Sequence, residues 1–255
     1  MRAAWLAAGA VATVFALVLS TLLLWHDFSR GRAPQEFHRR SVPFTQSELK
    51  ITTGDSAVSV DINPGPAGTL MIDRSTLWTS VKKPTITEEW DGHTLRLDTR
   101  CETDEPDSAC ESRYTLFVPP EIDVDAATTF GDLTISDVIG GVRLTTVSGA
   151  VEAHRLPGSL WVRSVSGRLS VNSLSGGKVD VETGSGDVHV DFMDPPVEVR
   201  AVARATGSVD VRVPPGSYDV TAEGRHTDVD VDSVDGAKKK IEARAPLGNV
   251  RVAEG

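Results

Sequence analysis

From Gly131 to Val252 the chain alternates apolar and polar residues one for one, in short runs separated by turns of small residues. Val188 and Val190 face one way while Asp187, His189 and Asp191 face the other, and Val229 and Val231 alternate with Asp228, Asp230 and Asp232 in the same manner. Period two with Val dominance predicts half-buried strands, and no window keeps an apolar stripe at helical spacing. The runs are also copies of one another. Gly131, Gly149, Gly167, Gly186, Gly207 and Gly248 each open a phrase of the form Gly-x-apolar-x-apolar, and Thr227 opens the same phrase with Thr in the Gly slot. From Gly149 onward the openings fall at 149, 167, 186, 207, 227 and 248, at steps of 18, 19, 21, 20 and 21 residues. Self-similarity at such a period predicts stacked units rather than one globular core.

A second turn series interleaves with the first: Gly140 and Gly141, Pro157 and Gly158, Gly176 and Gly177, Pro195 and Pro196, Pro214 to Gly216, Asp235 and Gly236. Gly permits positive φ and Pro presets φ while removing a donor, so both suit corners. Two strands and two corners per repeat of about twenty residues predict an all-β fold, a narrow single-domain β-solenoid whose inward Val, Leu and Ile stack into a thin core. An ordinary β-sandwich competes, since regular turn signals suggest one too; the recurring phrase favours the solenoid.

Upstream the pattern changes. Residues 1–28 read as a transmembrane anchor: Ala3 to Trp25 is 23 residues without a charge, with Trp5 and Trp25 near its ends. A helix of that length spans roughly 35 Å, against a bilayer core of about 30 Å. A cleaved signal peptide is the rival, but the run is long for one and no small-x-small site follows it. Residues 29–46 read as an arginine-bearing neck without a clear period. Residues 47–121 read as an irregular β region, the cap of a solenoid whose regular coils occupy 122–255. Within that cap, strands are expected at 57–62, 69–72, 85–90, 94–97 and 113–118, with Asp91 and Gly92 as a hairpin turn.

Charge and cysteines narrow the setting. The net charge is −10, while residues 1–40 carry five arginines against Asp27 and Glu36, so the body is acidic. That argues against nucleic acid as a partner, which needs a basic footprint. Four arginines follow the apolar segment and only Arg2 precedes it, which by charge alone keeps the body in the cytoplasm, although large domains translocate largely regardless of charge. Cys101 and Cys110, the only two cysteines, bracket a short polar loop between expected strands. Such a pair reads as a disulfide, which persists outside the cytosol; two free thiols are the alternative, and a metal site lacks further ligands nearby. The body is therefore expected on the extracytoplasmic side of the cell membrane.

Together, the apolar segment, the Glu88-to-Leu95 strand turn, the Cys101/Cys110 loop, the Tyr114-to-Pro119 strand and the repeated phrase resemble the bacterial "putative adhesin" family, over roughly residues 45–254. The resemblance implies a membrane-anchored domain of unknown function, common in actinobacteria, with a β-solenoid fold and no established enzymatic activity. It carries over no catalytic or binding residue. Gly149, Gly167 and Gly207 are followed by Ala, Arg and Ser rather than the usual Asp, so any Asp ladder is broken here.

The residues themselves offer little catalytic chemistry. Asp228, Asp230 and Asp232 form a row that reads as a solvated edge discouraging strand-on-strand aggregation. Calcium is the alternative for that row together with Asp187 and Asp191, but Gly176-Gly177-Lys178-Val179 breaks the calcium-solenoid phrase. The six histidines do not sit at ligand spacing, and Thr183 to Gly186 is a corner rather than a nucleophile elbow. Cofactors and metals are not expected. Trp161 stands out: with Leu160 and Val162 inward, Trp161 and Arg163 face outward, where they could contact a sugar or a protein. The expectation is a non-enzymatic cell-envelope protein, held to the membrane by its N-terminal helix, whose solenoid surface serves adhesion, scaffolding or binding of an unidentified protein or glycan partner. An extracytoplasmic glycan-acting enzyme and an accessory of envelope-stress signalling are the alternatives.

Overall fold

Each strand of this chain buries one face and must pair its backbone N–H and C=O groups with neighbours, so the pairing pattern determines the architecture. The computed structural model describes residues 13–15, 17–22, 34–79, 82–101 and 110–255. It divides the chain into two units, Met1–Pro34 and Gln35–Gly255. The second is all-β. Its strands are β1 (Gln35–Pro43), β2 (Glu48–Thr53), β3 (Val58–Pro64), β4 (Thr69–Trp78), β5 (Thr85–Trp90), β6 (Thr94–Arg100) and β7 (Cys110–Val118). There follow β8 (Asp123–Phe130), β9 (Leu133–Ser136), β10 (Val142–Ser148), β11 (Val151–His154), β12 (Leu160–Ser166), β13 (Leu169–Ser175) and β14 (Lys178–Ser185). The last are β15 (Val188–Asp194), β16 (Glu198–Thr206), β17 (Val209–Val213), β18 (Ser217–Asp230), β19 (Asp232–Ser233) and β20 (Lys240–Glu254).

These strands wind as stacked coils with two faces. Along the first face the spatial order is β5, β6, β2, β8, β10, β12, β14, β16, the start of β20 and the start of β18. Along the second it is β1, β4, β7, β3, β9, β11, β13, β15, β17, the end of β20 and the end of β18. Every pairing from β6 and β7 onward is parallel; β5–β6, β1–β4 and β4–β7 are antiparallel. The copies of the phrase lie side by side, as the repeat predicts: Val171, Val190, Val211 and Val252 are successive partners, each fully buried.

The recurring glycine has a steric cause. A Cβ at Gly149 would press into the carbonyl oxygen of Gly131, and the same holds for Gly167 on Gly149, Gly186 on Gly167, Gly207 on Gly186 and Gly248 on Gly207. Adjacent coils thus touch backbone to backbone at this corner, an approach open only to a residue without a side chain.

The order of coils departs from the order of sequence at both ends. β2 and β3 form a complete coil wedged between β6–β7 and β8–β9, so residues 48–64 belong to the regular stack rather than to an irregular cap. At the other end β20 lies between β16–β17 and β18, so the final strand of the chain is the penultimate rung. The expected neck also gains structure: β1 pairs along nine residues with β4, and Phe44 is 2% exposed. The hairpin at Asp91 and Gly92 forms as expected, with Asp91 Oδ1 accepting from the Thr94 amide at 2.6 Å and Gly92 at φ 95°.

The expected transmembrane helix falls largely outside the described residues. Residues 13–15 and 17–22 are helical, with Val14, Phe15, Leu17, Val18, Leu19 and Leu22 exposed. Among the described residues no helix is long and apolar enough to cross a membrane.

Candidate functional site

Stacking in register turns each outward position into a column. On the first face, Asp125, Arg143, Trp161, Asp180, Arg200 and Glu242 are successive partners. Trp161 and Arg163 point outward, as their spacing predicts, but both are half-buried. The guanidinium carbons of Arg143 and Arg163 lie 4.6 and 4.4 Å from the Trp161 ring centre, so cations already occupy the aromatic surface. Arg163 Nη2 also donates to Asp180 Oδ2 at 2.5 Å. Arg200 joins the same carboxylate at 2.9 Å and Glu182 at 2.8 Å, and Arg204 pairs with Glu182 as well. Burial pushes the Asp180 carboxyl up, but hydrogen bonds from Arg163 and Arg200 outweigh it and hold it below the ordinary carboxylate value; Glu182 is lowered against burial in the same way by Arg204 and Arg200. The hollow beside Trp161, lined by Glu48, Asp123, Asp125, Arg143 and Ser159, holds only about 210 Å³. This strip is an internally paired ionic ladder.

The second face is different. Over β1, β4 and β7 lies a concavity of about 600 Å³ lined by Phe37, His38, Arg39, Asp73, Arg74, Ser75, Arg113 and Thr115. Register explains its composition: Phe37, Ser75 and Arg113 are cross-strand partners, as are Arg39, Asp73 and Thr115. Arg39 clamps Asp73 through two hydrogen bonds of 2.6 and 2.5 Å, and that hydrogen-bonded pair holds the Asp73 carboxyl below its ordinary value. Phe37 is 72% exposed at the rim. Arg113 is shared with a neighbouring hollow of about 200 Å³ lined also by Ser59, Asp61, Asp132, Thr134, Ala150 and Glu152. Burial pushes the Asp61 carboxyl up, against the opposing Arg113 charge and a hydrogen bond with Thr134, and with help from Asp132 and Glu152. The groove offers the exposed rings of Phe37 and His38, the Arg39 guanidinium held by Asp73 and the hydroxyls of Ser75 and Thr115, a set suited to a polar ligand with an apolar face.

Reading the sequence alone misses this groove, because β1 carries no repeat phrase and Arg113 meets Ser75 only through an antiparallel pairing. The available signal was the alternation of Phe37, Arg39 and Ser41 with His38, Arg40 and Val42. The other predicted residues are scattered. Asp228, Asp230 and Asp232 are exposed at the last rung. Cys101 and Cys110 form a disulfide between the end of β6 and the start of β7, with Cα atoms 6.3 Å apart. Among the described residues no group of three or more His, Cys, Asp or Glu side chains could hold a metal ion.

No curated protein matches this chain. Solved structures similar to this chain include two adhesion-related ones. One, from Clostridium sporogenes, is described as a "putative cell adhesion protein"; it is 14% identical, with 87% of this chain and 100% of that one covered and a TM-score of 0.40. The other, from Parabacteroides merdae, is described as a "putative adhesin"; it is 10% identical, with 87% and 98% covered and a TM-score of 0.46. The Toastrack DUF4097 family model matches residues 121–252, more than half of the chain, from just before β8 into β20, and the protein belongs to that family of unknown function.

Proposed function

We infer that this chain is a non-enzymatic binding protein of the cell envelope, anchored by its N-terminal segment, which holds a protein or glycan partner in the groove over β1, β4 and β7. The observation that carries this reading is the exposed Phe37 facing Arg113 across Ser75, on a floor of three paired strands. Paired strands fix the backbone beneath these groups, so binding orders side chains alone. The uncharged run from Ala3 to Trp25 supports the anchor. The Cys101–Cys110 disulfide supports an extracytoplasmic body.

The test is binding of the full-length protein, in detergent micelles, to isolated envelope glycans and to intact cells. Phe37→Ala combined with Arg113→Ala should abolish retention while leaving the circular dichroism spectrum unchanged. Retention that survives both substitutions overturns the groove as the binding site.

A second reading, glycan hydrolysis, rests on Asp61, whose raised carboxyl lies in the hollow with Asp132 and Glu152. Release of reducing ends from a glycan, abolished by Asp61→Asn, would establish it in place of the first.

A further inference from the structure

The last rung of the stack differs from every rung inside it. β18 pairs with β20 from Asp219 to Asp230 on its inner side. On its outer side, among the described residues, only Ser217 and Tyr218 meet a strand, the two-residue β19. The outer edge beyond Tyr218 therefore presents backbone donors and acceptors without a ladder partner. The core is uncovered there too: Val229 continues the column of Val211 and Val252, which are fully buried, yet is itself 40% exposed. Asp228 and Asp230 flank Val229 on the outward side, and the nearest cation, Arg251, stands 3.6 Å from Asp228.

We propose that the outer edge of β18 accepts an extended segment of another polypeptide whose side chains alternate between apolar and cationic. The edge supplies the main-chain pairing of strand addition. Side chains on a strand alternate sides, so a segment in register sets every second residue over Val229 and the core column, and the residues between beside Asp228 and Asp230. β20 shows that this geometry is available here, since it lies in parallel register against β18 on the other side. A second copy of this chain is a poor occupant through the same edge, because two such edges bring Asp228 and Asp230 against each other's carboxylates. This surface is independent of the groove over β1, β4 and β7.

The test is hydrogen–deuterium exchange of the full-length protein with a synthetic peptide of alternating Lys and Val. Strand addition predicts slowed exchange of amides within residues 224–231 and none over residues 35–43. Asp228→Lys with Asp230→Lys should weaken peptide binding about tenfold or more, since two cross-strand attractions become repulsions. Both residues are exposed, so the fold should survive the change. A peptide N-methylated at alternate amides should lose the protection altogether, whereas Phe37→Ala should leave it intact. The proposal is overturned by protection elsewhere, by equal binding of a Glu–Val peptide, by indifference to N-methylation, or by self-association of the unliganded chain through β18.

Discussion

The two ends of the stack meet the same physical problem and treat it differently. A solenoid's end rung has an open edge and an uncovered core. At the N-terminal end, the antiparallel strands β1, β4 and β5 are added beyond the last parallel rungs, and the core between them is filled. Phe44, Leu95, Leu97 and Tyr114 are all at most 2% exposed, and Phe44 packs 6.0 Å from the Trp90 ring. Charged side chains complete that plug: Arg40 lies 2.5 Å and Arg74 3.7 Å from Glu88, whose side chain is 9% exposed. A disulfide joins the two strands of the outermost parallel coil. At the C-terminal end only the start of the last rung is covered, by Tyr218 under Lys239 at 5.4 Å and by β19, and its far half has its aspartates alone. One end is sealed by packing, the other only by charge. On the proposed reading, the sealed end supports the groove over β1, β4 and β7, and the end guarded by charge discriminates among partners.

Substitutions at the two ends should therefore differ widely in cost. The largest loss is expected from Glu88→Ala, which takes the carboxylate from Arg40 and, among the described residues, leaves Arg74 only Glu36 at 3.7 Å: about 3 kcal/mol, read from urea unfolding of the full-length protein. A loss below about 1 kcal/mol would mean that the plug is solvated, as an exposed ion pair is. Replacing Cys101 and Cys110 by Ser should cost about 2–3 kcal/mol, the loop-closure value for a short loop. At the other end, Val252→Ala should cost about 2 kcal/mol and Val229→Ala well under 1, although the two valines are neighbours in one column. Equal costs would show that something covers Val229. A further effect is one of pH. Burial, with the Glu88 charge, pushes the Tyr114 hydroxyl up to about 12. Its folded pKa is raised, so its contribution is complete below the unfolded value near 10 and is lost as pH rises from there towards 12. Tyr114→Phe should flatten that alkaline decline, measured as the urea midpoint between pH 9 and 12, and a decline of unchanged slope would assign it to other groups.

Much of the repeat was legible because alternation and glycine spacing are local. Val188 with Val190 and Val209 with Val211 declare which side of a strand is buried, and Gly131 through Gly207 mark corners whose crowding admits no side chain. What the pattern does not specify is which rung lies beside which. The phrase at Thr227 and the phrase at Gly248 are equally good neighbours for Gly207, and the structure places Gly248 there. One clue was present. Thr227 occupies a Gly slot because β18 shifts register between Gly224 and His226, and Gly224 makes the close approach instead, its Cβ position 3.1 Å from the Gly248 carbonyl oxygen. Trp161 gives a parallel lesson. Alternation placed it outward correctly, but its surroundings came from Arg143, 18 residues earlier, which only the stacking brings alongside. Strands β1 and β2 went unread because neither carries the repeat phrase, and their partners are distant in sequence.

The central claim is that β20 lies between β17 and β18, leaving β18 outermost. Cysteine pairs report it directly, since parallel neighbours in register approach disulfide distance and next-but-one strands do not. Asp210→Cys with Arg251→Cys, and Arg251→Cys with Asp228→Cys, are expected to cross-link on mild oxidation, because these residues are successive partners. Asp210→Cys with Asp228→Cys should stay reduced. Cross-linking of that last pair, with none between Asp210→Cys and Arg251→Cys, would place the rungs in order of sequence and contradict the account.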